Sequence, residues 1–218
     1  VVVGARRTAD ELGRAFPGIA VRTSGRDEVL STVPAEPALV VATPGAEPVP
    51  DGGYGAVLLL DAWALLTRAD LRAGEETLRR WFAAAALARP AGDGGQVVVV
   101  ADGSLAAVQA LLRWDPVWHA ERELADRVAL GFPPATRVAG ISGPAAAVAE
   151  FIASAELPDG TQVLGPVPLP DGQERAVLRV SRRAGGALAA ALAAAQAVRS
   201  ARKAADPLRV ELDPLLLL

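Results

Sequence analysis

The 218-residue sequence contains no cysteine, no methionine and a single histidine, and only 4% of its residues are aromatic. Without cysteine, the chain can form neither a disulfide scaffold nor a thiolate metal site, and it has no thiol chemistry. One histidine cannot complete a zinc site by itself. We therefore expect this chain to bind no zinc, and we expect its cores to be built from aliphatic side chains.

The chain also has no large net charge, since it contains 22 basic and 25 acidic residues. No global basic field attracts nucleic acid or anionic lipid, so any contact with a polyanion must be local. The long uncharged stretch from Ala184 to Val198 is rich in alanine and too weakly apolar for a membrane span. We expect a cytoplasmic protein. The apolar run that begins at Val1, in place of Met, suggests a piece of a longer protein.

What the first half does contain is an alternation of apolar runs and helical patterns. Runs at Ala38 to Ala42, Ala56 to Leu60 and Gln96 to Val100 are typical of strands buried on both faces. A long helical pattern from Ala69 to Ala88 separates the second run from the third. The alternation predicts an α/β fold in which the three runs share one parallel sheet flanked by helices.

A sharper boundary follows at Asp115-Pro116, an N-cap residue before a proline, which predicts a helix from Pro116 to about Leu130. Glu123 and Arg127 are four residues apart, a spacing that predicts a solvated face of this helix. The next residues, Gly-Phe-Pro-Pro at 131–134, predict a stiff connection.

Beyond the connection, the pattern reads strand, helix, strand, strand, helix, strand, which predicts a small βαββαβ α+β domain. We place the domain boundaries accordingly: an α/β region at 1–113, a connecting helix with a proline-rich linker at 114–134, and the α+β domain at 135–218.

Motifs that carry catalysis are scarce. There is no G-x-x-x-x-G-K-[ST] phosphate loop, no G-x-S-x-G elbow and no H-E-x-x-H. The glycine-rich segment at 51–55 precedes a strand instead of following one, so we interpret it as an ordinary loop. His119 has no second metal ligand or nucleophile nearby in sequence, and a packing or capping role is favoured. We predict no catalytic, nucleotide-binding or metal-binding residue.

A local basic signal remains in the C-terminal half. Cations at the second and third strands and at the end of the long helix could contact phosphates, although a solvated surface explains them as well. The candidate DNA-binding residues are Arg175, Arg179, Arg182, Arg183, Arg202 and Lys203.

Four segments together resemble one family. They are LLLDAWALLTRADLR at 58–72, AERELADRVALGFPP at 120–134, VLGPVP at 163–168 and VELDP at 210–214. In order and spacing they are similar to the PriA family of bacterial primosomal replication-restart proteins, from inside the second helicase lobe to the C-terminal domain. The resemblance implies a partial RecA-like lobe at 1–113, followed by the C-terminal α+β domain.

For function, the resemblance implies a protein that recognises abandoned or stalled replication forks and promotes reloading of the replicative helicase. Its implied partners are branched DNA, primosome proteins, the helicase-loading machinery and single-stranded DNA-binding protein, with no membrane contact. Zinc and ATP are cofactors of full-length family members, outside this stretch.

Two departures from the family pattern concern the motor. The segment that corresponds to helicase motif V, Val41 to Gly52, has Glu47 at the lysine position and Pro48 at the following glycine. The segment that corresponds to motif VI, Ala83 to Pro90, has Leu87 and Pro90 at the two arginine positions.

These replacements predict a lobe without motor chemistry, because a leucine and a proline cannot neutralise charge on a phosphate. Arg89 is displaced by one or two positions, which turns a helical side chain by at least about 100°. We therefore predict a fork-binding protein without helicase activity. The alternative is an active ATP-dependent superfamily 2 helicase, moving 3′ to 5′, with unusual motifs.

Overall fold

The computed structural model describes residues 4–60, 62–204 and 206–214. They form a mixed α/β chain with small parallel and antiparallel sheets, which confirms the predicted mixture of helices and strands. The chain divides into two compact units between His119 and Ala120. None of the helices formed by the described residues is both long and apolar enough to cross a lipid bilayer.

The first unit contains six strands and four helices, and a fifth helix crosses the division. In chain order they are α1 (Ala5–Ala15), β1 (Ala20–Ser24), β2 (Thr32–Val33), β3 (Ala38–Ala42), β4 (Val49–Pro50), β5 (Ala56–Leu59), α2 (Ala62–Leu66), α3 (Ala73–Ala85), β6 (Gln96–Val99), α4 (Ala106–Arg113) and α5 (Pro116–Leu130).

The six strands pair as three separate parallel ladders, β1 with β3, β2 with β4, and β5 with β6. The prediction that Ala38–Ala42 shares one sheet with β5 and β6 is therefore wrong for the described residues. An apolar run in the sequence indicates that a strand is buried, but it does not indicate with which other strand it pairs. The predicted parallel direction is correct for each pair.

The prediction that these strands are buried on both faces is also wrong. Leu59 packs in the core with side chains of α3 and α4, whereas the side chains of Leu58 and Val98, paired on the opposite face, are largely exposed. The helices of this unit cover one face of the β5–β6 ladder. Trp81, Leu78 and Val108 belong to the same core.

The long helix predicted at 69–88 is shorter in the structure, where this range contains only α3 (Ala73–Ala85), and a turn before it separates α3 from α2. The Asp70 carboxylate accepts the Arg72 amide at 2.9 Å, and the Asp70 carbonyl accepts the Ala73 amide at 3.0 Å. Such local bonds compete with the helix, because the aspartate side chain offers the backbone another partner.

The second unit follows α5 with β7 (Thr136–Gly143), α6 (Ala145–Ser154), β8 (Gln162–Pro168), β9 (Glu174–Ser181), α7 (Gly185–Ala201) and β10 (Arg209–Leu212). Its four strands form one antiparallel sheet in the order β10-β7-β9-β8. Phe151, Leu178 and Leu188 lie in the core between this sheet and α6 and α7. Side chains alternate along β9, so Arg175 and Arg179 lie on the sheet face away from the two helices.

Candidate nucleic-acid interface

Arg175, on β9, is held by its own sheet. Its Nε donates to Ser142 Oγ at 3.0 Å, and its Nη2 lies 3.9 Å from the Glu211 carboxylate. The side chain is only 15% exposed. A phosphate would therefore meet a guanidinium that is already neutralised and largely covered.

Arg179 lies four residues further along β9, and its guanidinium is also hydrogen-bonded. Its Nε and Nη2 donate to Gln162 Oε1 at 2.9 and 2.6 Å. Its Nη1 donates to the carbonyls of Gly131 at 3.0 Å and Leu130 at 3.3 Å. This arginine thus connects the edge strand β8 to the end of α5.

Arg182 and Arg183 lie in the 3₁₀ turn Arg182–Ala184 that leads into α7. Arg182 is exposed and its Nη1 donates to the Pro134 carbonyl at 3.1 Å. Arg183 is exposed as well, and its side chain has no hydrogen bond or ion pair to any residue that the structure describes. Of the candidates on this side of the domain, Arg183 is the most available to a phosphate.

Arg202 and Lys203 follow the C-terminal end of α7, and both are exposed. With 17 residues, α7 is about 25 Å long, so these cations are far from Arg183. Arg202 also lines a cleft between α6 and α7, whose lining includes Phe151 and Arg199. Cations at a helix C-terminus stabilise the helix by offsetting its dipole.

The six predicted residues therefore form three groups and no single patch. Two lie on the sheet face, two precede α7 and two follow it. Whether any of them contacts DNA remains a prediction. The partners of these arginines cannot be predicted from the sequence, because the backbone carbonyls that accept from them carry no signal in a side-chain pattern.

The segments that carry the family resemblance have structural roles. Asp213, in VELDP, accepts the Val138 amide at 3.2 Å and pairs with Arg137, which attaches the end of β10 to β7. The VLGPVP segment forms the exposed edge strand β8. Pro166 and Pro168 donate no backbone hydrogen bond, so this edge is a poor template for another strand.

In the loop that corresponds to motif V, polar groups form hydrogen bonds with one another. The Glu47 carboxylate accepts the Gly45 amide at 2.9 and 3.0 Å, and the fully buried Pro48 offers its carbonyl to the Tyr54 hydroxyl at 2.9 Å. Burial, together with the charge of Glu47, raises the pKa of Tyr54 above its ordinary value. The carboxylate of Glu47, which stands where the resemblance implies a lysine, is therefore hydrogen-bonded within its own loop.

The same loop is tied to the segment that corresponds to motif VI and to α3. Arg89 Nε donates to the carbonyls of Gly52 and Gly53 at 3.2 and 3.1 Å, and the Leu87 carbonyl accepts the Tyr54 amide at 2.8 Å. The guanidinium of Arg89 is therefore directed into the loop.

Arg80, on α3, donates to the Pro44 carbonyl at 3.1 Å and to Glu76. Hydrogen bonds from Arg79 and Arg80 lower the pKa of Glu76 to about 2. In the described part of the chain, no group of three or more His, Asp or Glu side chains is placed to hold a metal ion.

Residues 128–215 match the family described as the primosomal protein N C-terminal domain. The whole chain is similar to proteins named "Probable replication restart protein PriA". It is 53% identical over 227 residues to that of Mycobacterium leprae (strain TN), covering 99% of this chain and 35% of that protein. It is also 53% identical over 234 residues to that of Mycobacterium tuberculosis (strain ATCC 25618 / H37Rv), with 99% and 36% covered.

The class defined by these findings is that of primosomal replication-restart proteins. Residues 128–215 match the C-terminal domain of this class, and 99% of the chain is similar to proteins named PriA, as its sequence resemblance implied. The chain spans about a third of the length of these curated relatives.

Proposed function

We propose that the protein carrying this chain binds abandoned or stalled replication forks and promotes reloading of the replicative helicase, without helicase activity of its own. Its partners are forked DNA, primosome proteins, the helicase-loading machinery and single-stranded DNA-binding protein, in the cytoplasm at the nucleoid. The family match at 128–215 and the 53% identity to proteins named for replication restart support this role.

The proposed absence of motor activity rests on one observation. The loop at 43–54 and the segment at 83–90 lack the cations of the family's motifs V and VI. Phosphoryl transfer needs cations that stabilise the charge developing in the transition state. Here a carboxylate, Glu47, and two uncharged residues, Leu87 and Pro90, take the places of the family's lysine and two arginines. Arg89 is the nearest arginine in this segment, and its Nε donates to two backbone carbonyls.

The finer fold assignment belongs to the same proposal. We infer that residues 1–113 derive from the second RecA-like lobe, which has kept part of its parallel sheet, and that 135–218 is the C-terminal α+β domain. The parallel β5–β6 ladder packed against α3 and α4 supports the first assignment, and the βαββαβ order of elements supports the second. Zinc and ATP, where they bind, belong to other parts of the full-length protein.

The second unit is the candidate DNA-contacting part of this chain. Among its candidate cations, Arg183, Arg202 and Lys203 support the proposal best, because their side chains are exposed and have no hydrogen bond or ion pair in the described part of the chain. In the first unit, the exposed Arg6 is paired with Asp27 at 2.8 Å.

The alternative function is an active ATP-dependent 3′ to 5′ helicase with unusual motifs. The experiment that separates the two is strand unwinding of a forked DNA by the full-length protein. Fork binding without ATP-dependent unwinding supports the proposal. ATP-dependent unwinding supports the alternative, and its loss in Arg89→Ala would assign the missing role to Arg89.

A further inference from the structure

In the connection between α5 and β7, most backbone carbonyls accept hydrogen bonds from side chains and not from backbone amides. Residues 131–134 include two consecutive prolines, which donate no backbone hydrogen bond, so the surrounding carbonyls must find other donors. Among residues 130–134, only the Phe132 carbonyl accepts backbone amides, those of Ala135 and Thr136. The other four carbonyls accept from side chains, as follows.

Three arginines supply most of these donors, and two of them, Arg179 and Arg182, are nearly fifty residues away in sequence. Arg179 on β9 donates to Leu130 and Gly131, at 3.3 and 3.0 Å. Arg127 on α5 donates to Pro133 at 3.3 Å, and Arg182 before α7 donates to Pro134 at 3.1 Å. The Gly131 carbonyl also accepts the Thr136 hydroxyl at 2.9 Å.

Gly131 has a φ of 68°, a left-handed conformation that favours glycine. A Cβ at this position would lie 2.9 Å from Arg179 Nη1, so the guanidinium would have to shift. Arg127 is 9% exposed and also donates to Glu123 at 3.3 Å. The guanidinium is planar and permanently charged, and its donors form a rigid fork that can hold two acceptors at once.

We propose that Arg127, Arg179 and Arg182 form an arginine clamp that fixes the connection at 131–134 and the end of α5 to the sheet of the second unit. Through the clamp, the part of α5 from Ala120 onward and the sheet move as one body, and the direction in which the chain enters β7 is set. The three residues are positioning residues for α5. This role is independent of DNA binding.

The test is hydrogen–deuterium exchange of the 218-residue chain, followed on peptides that cover 120–136. Arg179→Ala and Arg182→Ala should each raise exchange at Gly131, Phe132 and Ala135, by about tenfold for Arg179 because hydrogen bonds from charged groups are the stronger ones. Arg183→Ala is the matched control, since it removes a neighbouring exposed arginine that has no hydrogen bond or ion pair to any described residue.

Two further comparisons separate a clamp from general destabilisation. Exchange in the sheet core, at Val138 and Leu178, should stay unchanged in Arg182→Ala. Arg179→Lys should restore only part of the protection, because an ammonium cannot reach Gln162 and the Gly131 carbonyl with the same fork. The proposal is overturned if the Arg179 and Arg182 variants exchange at 131–135 like Arg183→Ala, or if exchange rises equally across the whole sheet.

Discussion

At the scale of single residues, arginines that look alike in the sequence have different surroundings. The four-residue spacing of Glu123 and Arg127 predicts a solvated pair. In the structure, however, Arg127 is buried and its guanidinium donates to the Pro133 carbonyl. Side-chain spacing reports which residues share a helix face, and it contains no information about a carbonyl in the following connection. The candidate site could therefore be listed from the sequence, but its buried and exposed members could not be distinguished.

Removing the buried guanidinium should be costly. Arg127→Ala leaves the Pro133 carbonyl and Glu123 without their donor, and we expect a loss of about 2 kcal/mol in the free energy of unfolding. Urea denaturation of the 218-residue chain measures it. Arg122→Ala, at an exposed position of the same helix, should cost less than about 0.5 kcal/mol. Equal effects of the two variants would contradict the burial of Arg127.

Arg183 should act on DNA through charge alone. Arg183→Ala should weaken binding of forked DNA regardless of sequence and lower the slope of log affinity against log salt by about 0.9, the value of one phosphate contact. Replacing Arg182 together with Arg183 should lower it by roughly one to two units.

Fluorescence anisotropy over a salt series measures this slope. The control is Arg6→Ala, which removes an exposed, paired arginine of the first unit. If the Arg183 variant and the double variant both keep the slope of the unmodified chain, these arginines belong to the solvated surface.

At the scale of secondary-structure elements, local sequence signals predicted the ends of α5 well, but they did not predict which strands pair in the first unit. The helix predicted from Pro116 to about Leu130 matches α5, because the Asp115 carboxylate accepts the Trp118 amide at 2.9 Å and Gly131 ends the helix in a left-handed conformation. The order of elements after Gly131 is equally local. The predicted single sheet of the first unit failed, because strand pairing depends on contacts between distant residues.

The N-cap of α5 can be tested directly. Asp115→Ala should reduce the free energy of unfolding by about 1 kcal/mol, since the Trp118 amide loses its acceptor. Asp115→Asn should keep most of the stability, because asparagine caps a helix nearly as well. Thermal denaturation of the three chains compares them. An asparagine variant as unstable as the alanine variant would show that charge, and not capping, is what Asp115 supplies.

At the scale of the whole molecule, the segments that resemble the family most clearly form α5, the edge strand β8 and the Asp213 contact, all of which organise the second unit. Glu47, Leu87 and Pro90 stand at the positions where the resemblance implies a lysine and two arginines. The proposed fork-binding protein without helicase activity depends on these three replacements.

The central claim is most directly tested by ATP-dependent unwinding of a forked DNA by the full-length protein that carries this chain, with fork binding measured on the same preparation. We predict saturable fork binding and no unwinding at any ATP concentration, with Arg89→Ala indistinguishable from the unmodified protein. ATP-dependent unwinding by the unmodified protein would contradict the account, whether or not Arg89→Ala abolishes it.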